Sequence, residues 1–492
     1  MTAGETLILM ALVLPLFLAA ATSALSRSPD VRETVTVMTG VALATVCAAI
    51  VARTSAGAPP MLRVAEPLPG LAISFRLEPL GAAFAAMASA LWAANSLFAI
   101  GYMRGREEKN QTRFYVCFAL AMFGAMGVAM AANLFTLFIF WEVLTFSTYP
   151  LVAHKGDEKA RRAGRLYLLT LVGASLALLL PAIVTVHVVA GTTEFAPGGV
   201  LPEGMNGLGA GLLLVLFVFG AAKAALPPLH FWLPRAMAAP TPVSALLHAV
   251  AVVKAGVFLI LKVALLTFGL DLLGSLSAAQ WLLWLAAAAM VWAGIMALRA
   301  EQLKARLAWS TIGQLATVTS AALMATSDAW LAGGLHMVTH AFGKITLFIC
   351  AGVVQVATGA ENVSEMRGLG RRMPLVWIAF LIGALSVIGL PPFGGFWSKF
   401  MLVRAAFEAG QPVSAWAMIA SSLLAVGYLL PPAMLALMPA QDAPAPRPFS
   451  RAGGAPNLAI MPLALTAGGA LLLFVFAGAV YAFLAQGVGG PG

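Results

Sequence analysis

Residues 217–254 read FVFGAAKAALPPLHFWLPRAMAAPTPVSALLHAVAVVK, and this stretch decides the class of fold. It opens as an apolar helix carrying one lysine, Lys223, and reaches Leu226-Pro227-Pro228. Prolines lack the amide donor and clash with the preceding turn, so the helix breaks there. A short amphipathic piece follows, then a second apolar helix with His248 and Lys254. In lipid, such a break survives only where protein or a water-filled cavity satisfies the freed backbone groups. Two lysines flanking a broken apolar helix point to an ion path.

The rest of the chain supplies the membrane setting. Of 492 residues, 61% are hydrophobic and 10% charged, and the mean hydropathy is +0.93. A soluble domain could not cover its surface with so little charge, so the composition is that of a multi-pass membrane protein. At about 20 apolar residues per span, helices are expected near 5–25, 34–52, 79–101, 113–131, 133–153, 166–190, 207–226, 240–262, 278–298, 307–326, 330–356, 374–392, 413–438 and 457–485. That is an all-α fold of about fourteen transmembrane helices. Met1 to Ala24 lacks a basic leading region and reads as the first of them rather than a signal peptide. The longest loops are 53–78 and the Pro/Ala-rich connector 439–456.

The net charge of +10 does not indicate nucleic acid, because the basic residues sit in short loops. Those after the odd-numbered helices hold 20 lysines and arginines, from Arg27 to Arg451; the other side holds Arg53, Arg63, Arg76, Lys262 and Arg404. Positive loops stay in the cytoplasm. The expectation is a bacterial inner-membrane protein with both termini on the non-cytoplasmic side. Of the 29 basic residues, four remain inside apolar runs: Lys223, Lys254, Lys344 and Lys399.

The break recurs. Leu226-Pro227-Pro228 with Phe231-Trp232 is echoed by Leu390-Pro391-Pro392 with Phe396-Trp397, each beside a buried lysine. Five expected spans separate the two, so the units would be inverted relative to each other, and matching discontinuous helices in inverted repeats mark an ion site.

Other residues join this set. Glu142 stands alone on an apolar helix, and a charge there costs about 2.5–3.5 kcal/mol. It reads either as half of a structural ion pair or as a carboxylate whose pairing with Lys223 switches proton affinity, since opposite charge favours both ionised forms and desolvation disfavours them. Lys254 is a second buried amine of the kind that exchanges protons. Lys262, near its helix end, reads as a lysine snorkelling to the interface. His336, His340 and Lys344 recur at i, i+4 and i+8 and share one helix face. Interhelical hydrogen bonding is the plainer reading, and a face that passes protons through waters the functional one. Lys399, after the second break, would be the terminal amine. His248 reads as a candidate lining of the same path, His230 as a residue capping the break, and Asp328 and Glu78 as helix-end or loop residues. The histidine pair has no HExxH context and no acidic third ligand, so no metal is expected. Cys47, Cys117 and Cys350 lie far apart in apolar runs and give neither disulfide framework nor metal spacing. No phosphate loop, dinucleotide fingerprint or nucleophile elbow appears, so neither catalytic residues nor a cofactor are expected.

The segments WEVLTFSTYPLV (141–152), FGAAKAALPPLHFWLPRAMAAPTPVSALLHAVAVVKAG (219–256), LKARLAWSTIGQL (303–315), HMVTHAFGK (336–344) and IGLPPFGGFWSKF (388–400) resemble the motifs of the antiporter-like, proton-conducting membrane subunits. That family includes the D subunit of Mrp-type cation/proton antiporters and the pumping subunits of respiratory complex I and membrane-bound hydrogenases. The resemblance implies two inverted five-helix repeats, each with a broken helix, and a central polar axis. It matches Glu142 and Lys223 to the family's glutamate–lysine pair and Lys254 to its central lysine. His336, His340 and Lys344 match the polar helix that follows, and Lys399 the terminal residue, where a lysine resembles the Mrp D subunit. Helices 1–3 would occupy 1–110, the first repeat 111–262 (break near 226–234), the second 263–438 (break near 390–397), and the connector with helix 14 residues 439–492.

The resemblance further implies a non-enzymatic, proton-conducting subunit of an Mrp-type Na⁺ or K⁺/proton antiporter, partnered by other membrane subunits of the complex. The competing readings are a redox-driven pump (complex I-like, hydrogenase or formate-linked), an energising subunit for uptake of a solute such as inorganic carbon, and a scaffold with structural ion pairs.

Overall fold

The computed structural model describes residues 2–202, 204–440 and 457–488. Its helices begin where the chain offers caps. In α5 (Leu134–Val152) the Asn133 side chain accepts from Thr136 N at 2.7 Å, and in α6 (Glu158–Ala190) Asp157 accepts from Ala160 N at 2.6 Å. These bonds satisfy amides that the first turn leaves without carbonyl partners. Before them run α1 (Ala3–Ala24), α2 (Pro29–Ser55), α3 (Pro79–Gly105) and α4 (Gln111–Met130). The loop expected at 53–78 instead contains an antiparallel hairpin, Met61–Leu68 with Leu71–Arg76. Hairpin backbone outside a helix is stable here because its bonds are made strand to strand.

After α6 come α7 (Gly207–Gly220), a tight turn at Ala222–Ala224, the short α8 (Trp232–Arg235) and α9 (Thr241–Phe268). Then follow α10 (Ser277–Arg299), α11 (Leu303–Leu323), α12 (Ser327–Thr358), α13 (Pro374–Ile388), α14 (Gly395–Glu408) and α15 (Pro412–Leu437). A bent pair, α16 (Asn457–Val475) and α17 (Ala477–Ala485), ends the described chain, turning by 70°. The fold is a multi-pass helical membrane architecture. Ten described helices are long and apolar enough to span a bilayer, eleven counting the bent pair. Every expected segment holds a helix. However, α7 and α13 are short, α11 falls outside those ten, and α14 stands as a helix of its own, so fourteen as a count of spans goes beyond what the helices fix. Residues 441–456 of the connector, with Arg447 and Arg451, lie outside the described residues.

Burial sorts the helices into a centre and a rim. The apolar window of α9 is 100% buried and that of α12 is 94%, against 39% for α1, α2 and α6. The rim turns large apolar side chains outward, among them Leu169, Val188, Trp281 and Leu423, as lipid contact requires. Within α4–α9 and again within α10–α15 the fourth apolar segment is the broken one. Each break lies at a proline pair.

A central polar string between two broken helices

At the first break, Lys223 is carried on the tight turn after α7 and is fully buried. Its Nζ donates to Trp141 O at 3.1 Å and to Thr145 Oγ1 at 2.6 Å, both on α5. It also lies 3.8 Å from the centroid of the Trp141 ring. Two acceptors and a π face together meet the needs of an amine with three N–H donors. Glu142, one residue on, points its carboxylate elsewhere: both oxygens are buried without a hydrogen-bond partner among the described residues, and no ion pair joins it to Lys223. The structure therefore places the expected partners on neighbouring elements with the pair open.

Local chemistry holds the break. Trp232 Nε1 donates to Ala222 O at 3.1 Å, satisfying a carbonyl that the interrupted helix leaves free. The Trp232 ring meets Tyr167 of α6 edge-on at 5.3 Å, and Tyr167 Oη is 2.6 Å from Thr148 Oγ1 on α5. Gly256 of α9 packs on the turn so closely that a Cβ there would fall 2.2 Å from Ala224 N. His230 sits at the break, its ring within hydrogen-bonding reach of the Pro228 backbone and edge-on against Trp292 at 4.8 Å.

Lys254 on α9 is fully buried and in hydrogen-bond contact with His340 Nδ1 on α12. The His340 ring lies parallel to that of His336, centroids 5.8 Å apart, as their i, i+4 spacing requires. His336 Nε2 is 3.0 Å from Gln314 Oε1 on α11, and its Nδ1 is 2.9 Å from Ser398 Oγ on α14. An amide oxygen only accepts, so His336 carries a proton on Nε2, while the Ser398 hydroxyl, with one proton, lies within reach of both His336 Nδ1 and the Gly395 carbonyl at 3.1 Å. Ser398 precedes Lys399, whose Nζ donates to Ile388 O at 3.2 Å and Ser422 Oγ at 2.9 Å. Ile388 ends α13, so Lys399 meets the carbonyl end of the broken helix, where a cation is favoured. Lys254, His340, His336, Ser398 and Lys399 thus form a string that reaches the second break.

Lys344 shares the α12 face but leaves the string, donating to Ser310 Oγ at 2.6 Å; Ser310 also accepts from Tyr428 Oη at 2.9 Å. His248 is buried on α9 in a π-helical turn, Leu246–Val250, against Phe348 at 4.9 Å, with neither ring nitrogen bonded to a described residue.

Sequence reasoning missed several participants. Lys262 does not snorkel. It is fully buried and pairs with Glu78 at 2.6 Å, while donating to Ala131 O at 2.6 Å. The reason is tertiary: the start of α3 brings a carboxylate to the end of α9. Lys304 and Arg306, counted as loop cations, are buried at the start of α11 on the carbonyls of Ala239, Ala300 and Tyr428. Ser398, Gln314 and Thr145 were unremarkable in sequence; their one signal was a polar side chain within a turn of Lys399, of the STIGQ run or of Glu142. Asp328 does sit in a first helical turn, where it accepts from Tyr481 Oη at 2.9 Å. Among the described residues no group of three His, Cys, Asp or Glu side chains is placed to hold a metal ion.

Buried amines and histidines strung between two broken helices, inside a multi-pass bundle, define an ion-translocating membrane subunit. The chain belongs to the NADH:quinone oxidoreductase/Mrp antiporter transmembrane family, whose model matches residues 131–425. It is similar to the NADH-quinone oxidoreductase subunit N of Desulforudis audaxviator, 32% identical over 449 residues and 89% of each chain. In fold it is similar to a chain of the Mrp complex from Dietzia sp. DQ12-45-1b, with TM-score 0.83 and 23% identity over 100% of both. It is likewise similar to a chain of the membrane-bound sulfane sulfur reductase, an archaeal respiratory membrane complex, with TM-score 0.85 and 24% identity over 97% of this chain and 96% of that one.

Proposed function

We propose that this chain is the proton-conducting subunit of an Mrp-type monovalent cation/proton antiporter, in which inward proton movement drives export of Na⁺ or K⁺. The observation that carries this is the string from Lys254 through His340, His336 and Ser398 to Lys399. It supplies groups that both give and accept protons across the centre of the bundle. In the mechanism, Glu142 and Lys223 alternate between the open arrangement and a closed pair. Closing removes Lys223 from Trp141 and Thr145 and changes the field at Lys254. The proton then passes along α12 to Lys399 and leaves beside the second break. Lys344 and His248 tune the same face.

The repeats would span 111–262 and 263–438 in inverted topology, preceded by three helices in 1–110 and followed by the connector and last helix in 439–492. The odd loops would face the cytoplasm and both termini the other side.

A second reading is favoured by one observation, the similarity to an NADH-quinone oxidoreductase subunit N over nearly the full length of both chains. On that reading a redox module drives the same proton path. Purifying the native complex and identifying its proteins by mass spectrometry separates the two. Small hydrophobic partners support the antiporter, and iron–sulfur or flavin subunits overturn it in favour of the pump. For the switch itself, Glu142→Ala in the assembled complex is expected to abolish proton flux in vesicles. Flux at the native rate would sink it.

A further inference from the structure

A cleft of 740 Å³ opens between the start of α6 and the re-entrant segment that follows the first break. One wall carries Lys159, Arg162 and Leu166, spaced so that they share a helix face, and the other carries Arg235, Met237 and Ala238. Charge there is heavily one-sided. The carboxylate of Glu158 is shared among Arg161, Arg162 and Arg165 at 3.6, 2.8 and 3.5 Å. The Asp157 carboxylate is tied to the helix N-terminus. Lys159 and Arg235 add two more cations, and the Arg235 guanidinium lies 5.9 Å from the centroid of the Phe231 ring.

Below the cations, the same helix becomes lipid-facing. Arg162, Arg165, Leu169 and Leu176 are all exposed and fall on one ridge at spacings of three, four and seven. Leu169 is 73% exposed. A helix that runs from an arginine cluster into an exposed leucine ridge crosses the level where headgroups meet acyl chains.

We propose that the cleft binds the phosphate of an anionic phospholipid, with its acyl chains along Leu169 and Leu176. Arginines suit this ligand because the guanidinium fork meets two phosphate oxygens at once. The apolar continuation selects lipid over free phosphate, which would gain nothing from the leucine ridge. The bound phosphate adds a charged bridge between two elements that also pack directly, the Tyr167–Trp232 contact among their contacts. It would hold against α6 the re-entrant segment that follows the turn carrying Lys223.

The test reads lipid directly and needs no transport, so it stands or falls apart from the proton-path reading. The complex containing this chain is purified in mild detergent, and its retained phospholipids are identified by native mass spectrometry. Wild type is expected to retain phosphatidylglycerol or cardiolipin and to lose it as ionic strength rises. The Arg162→Gln/Arg235→Gln variant should lose roughly tenfold or more of that retention, at about fivefold per cation removed. Arg162→Lys/Arg235→Lys keeps the charge but loses the fork and should retain an amount between wild type and the glutamine variant; this variant and the salt series keep the test decisive if the glutamine variant does not assemble. Equal retention by wild type and the glutamine variant would overturn the proposal. So would displacement of the lipid by inorganic phosphate at matched charge, or crosslinking of Arg235→Cys to a neighbouring subunit lying in the cleft.

Discussion

Several of the buried polar side chains along the central string are held by partners far away in sequence. Ser398 is the clearest case, since its hydroxyl meets His336 Nδ1 at 2.9 Å and Thr339 Oγ1 at 3.0 Å. One hydrogen bond is worth about 1 kcal/mol, so Ser398→Ala is expected to slow proton flux about fivefold without loss of assembly. Fluorescence-quench assays in vesicles, with complex yield as the control, would measure it. Lys262 and Glu78 make a different case. Lys262 is fully buried, whereas the Glu78 side chain is 17% exposed. Breaking such a pair strands a charge, so Lys262→Met should lower stability by about 3 kcal/mol, seen as a lower denaturation temperature in detergent. Glu78→Gln added to it should restore most of that loss, because the stranded charge is gone. A double variant no more stable than the single one would show that the lysine acts through packing.

At the scale of elements, the two breaks are where proline chemistry and packing meet. α7 ends at Gly220 and α13 at Ile388, each ahead of its proline pair, and a tryptophan in one break and a lysine in the other occupy carbonyls beside the interruption. Gly256 belongs to this arrangement, since only a hydrogen fits between α9 and the Lys223 turn. Gly256→Ala would put a Cβ 2.2 Å from Ala224 N and 2.5 Å from Lys223 C, both backbone atoms that cannot rotate away. Over-packing of this kind costs about 1–3 kcal/mol, and here it displaces Lys223. The variant should assemble in reduced yield and conduct protons severalfold more slowly. Gly173→Ala, where a Cβ meets nothing within 4 Å, serves as the harmless control. The proline pairs, the echo between them and the periodicity of α12 were all legible in the sequence. The hairpin at 61–76 was not: with no Asn-Gly or Asp-Gly turn, its Leu68-Pro69-Gly70-Leu71 connection reads as loop.

For the whole molecule, burial and charge divide the work. α9 and α12 lie at the centre with the amines and histidines, and rim helices such as α1, α2 and α6 present apolar surface. The asymmetry of lysine and arginine sets the orientation proposed here, with both termini away from the cytoplasm. A reporter that is active only outside the cytoplasm, fused after the last residue, is expected to be active, and one placed in the loop before α6, at Lys155–Asp157, inactive. The reverse pattern would invert the proposed direction of the path.

The sequence by itself determined the membrane class, the rough place of the apolar segments, the two breaks and the amines within the bundle: Lys223, Lys254 and Lys344, which are buried, and Lys399, which is part-buried. These follow from local facts: a charge in an apolar run is visible wherever it stands, and a proline pair removes two amide donors, although α15 runs on through Pro431-Pro432, so packing decides whether the helix stops. Only the tertiary structure decided partners. It joined Lys254 to His340, His336 to Ser398 and Lys262 to Glu78, and it left Glu142 apart from Lys223. Such pairings depend on which helices pack together and at what height, and helices joined by long-range packing leave no trace of their register in the spacing of either one.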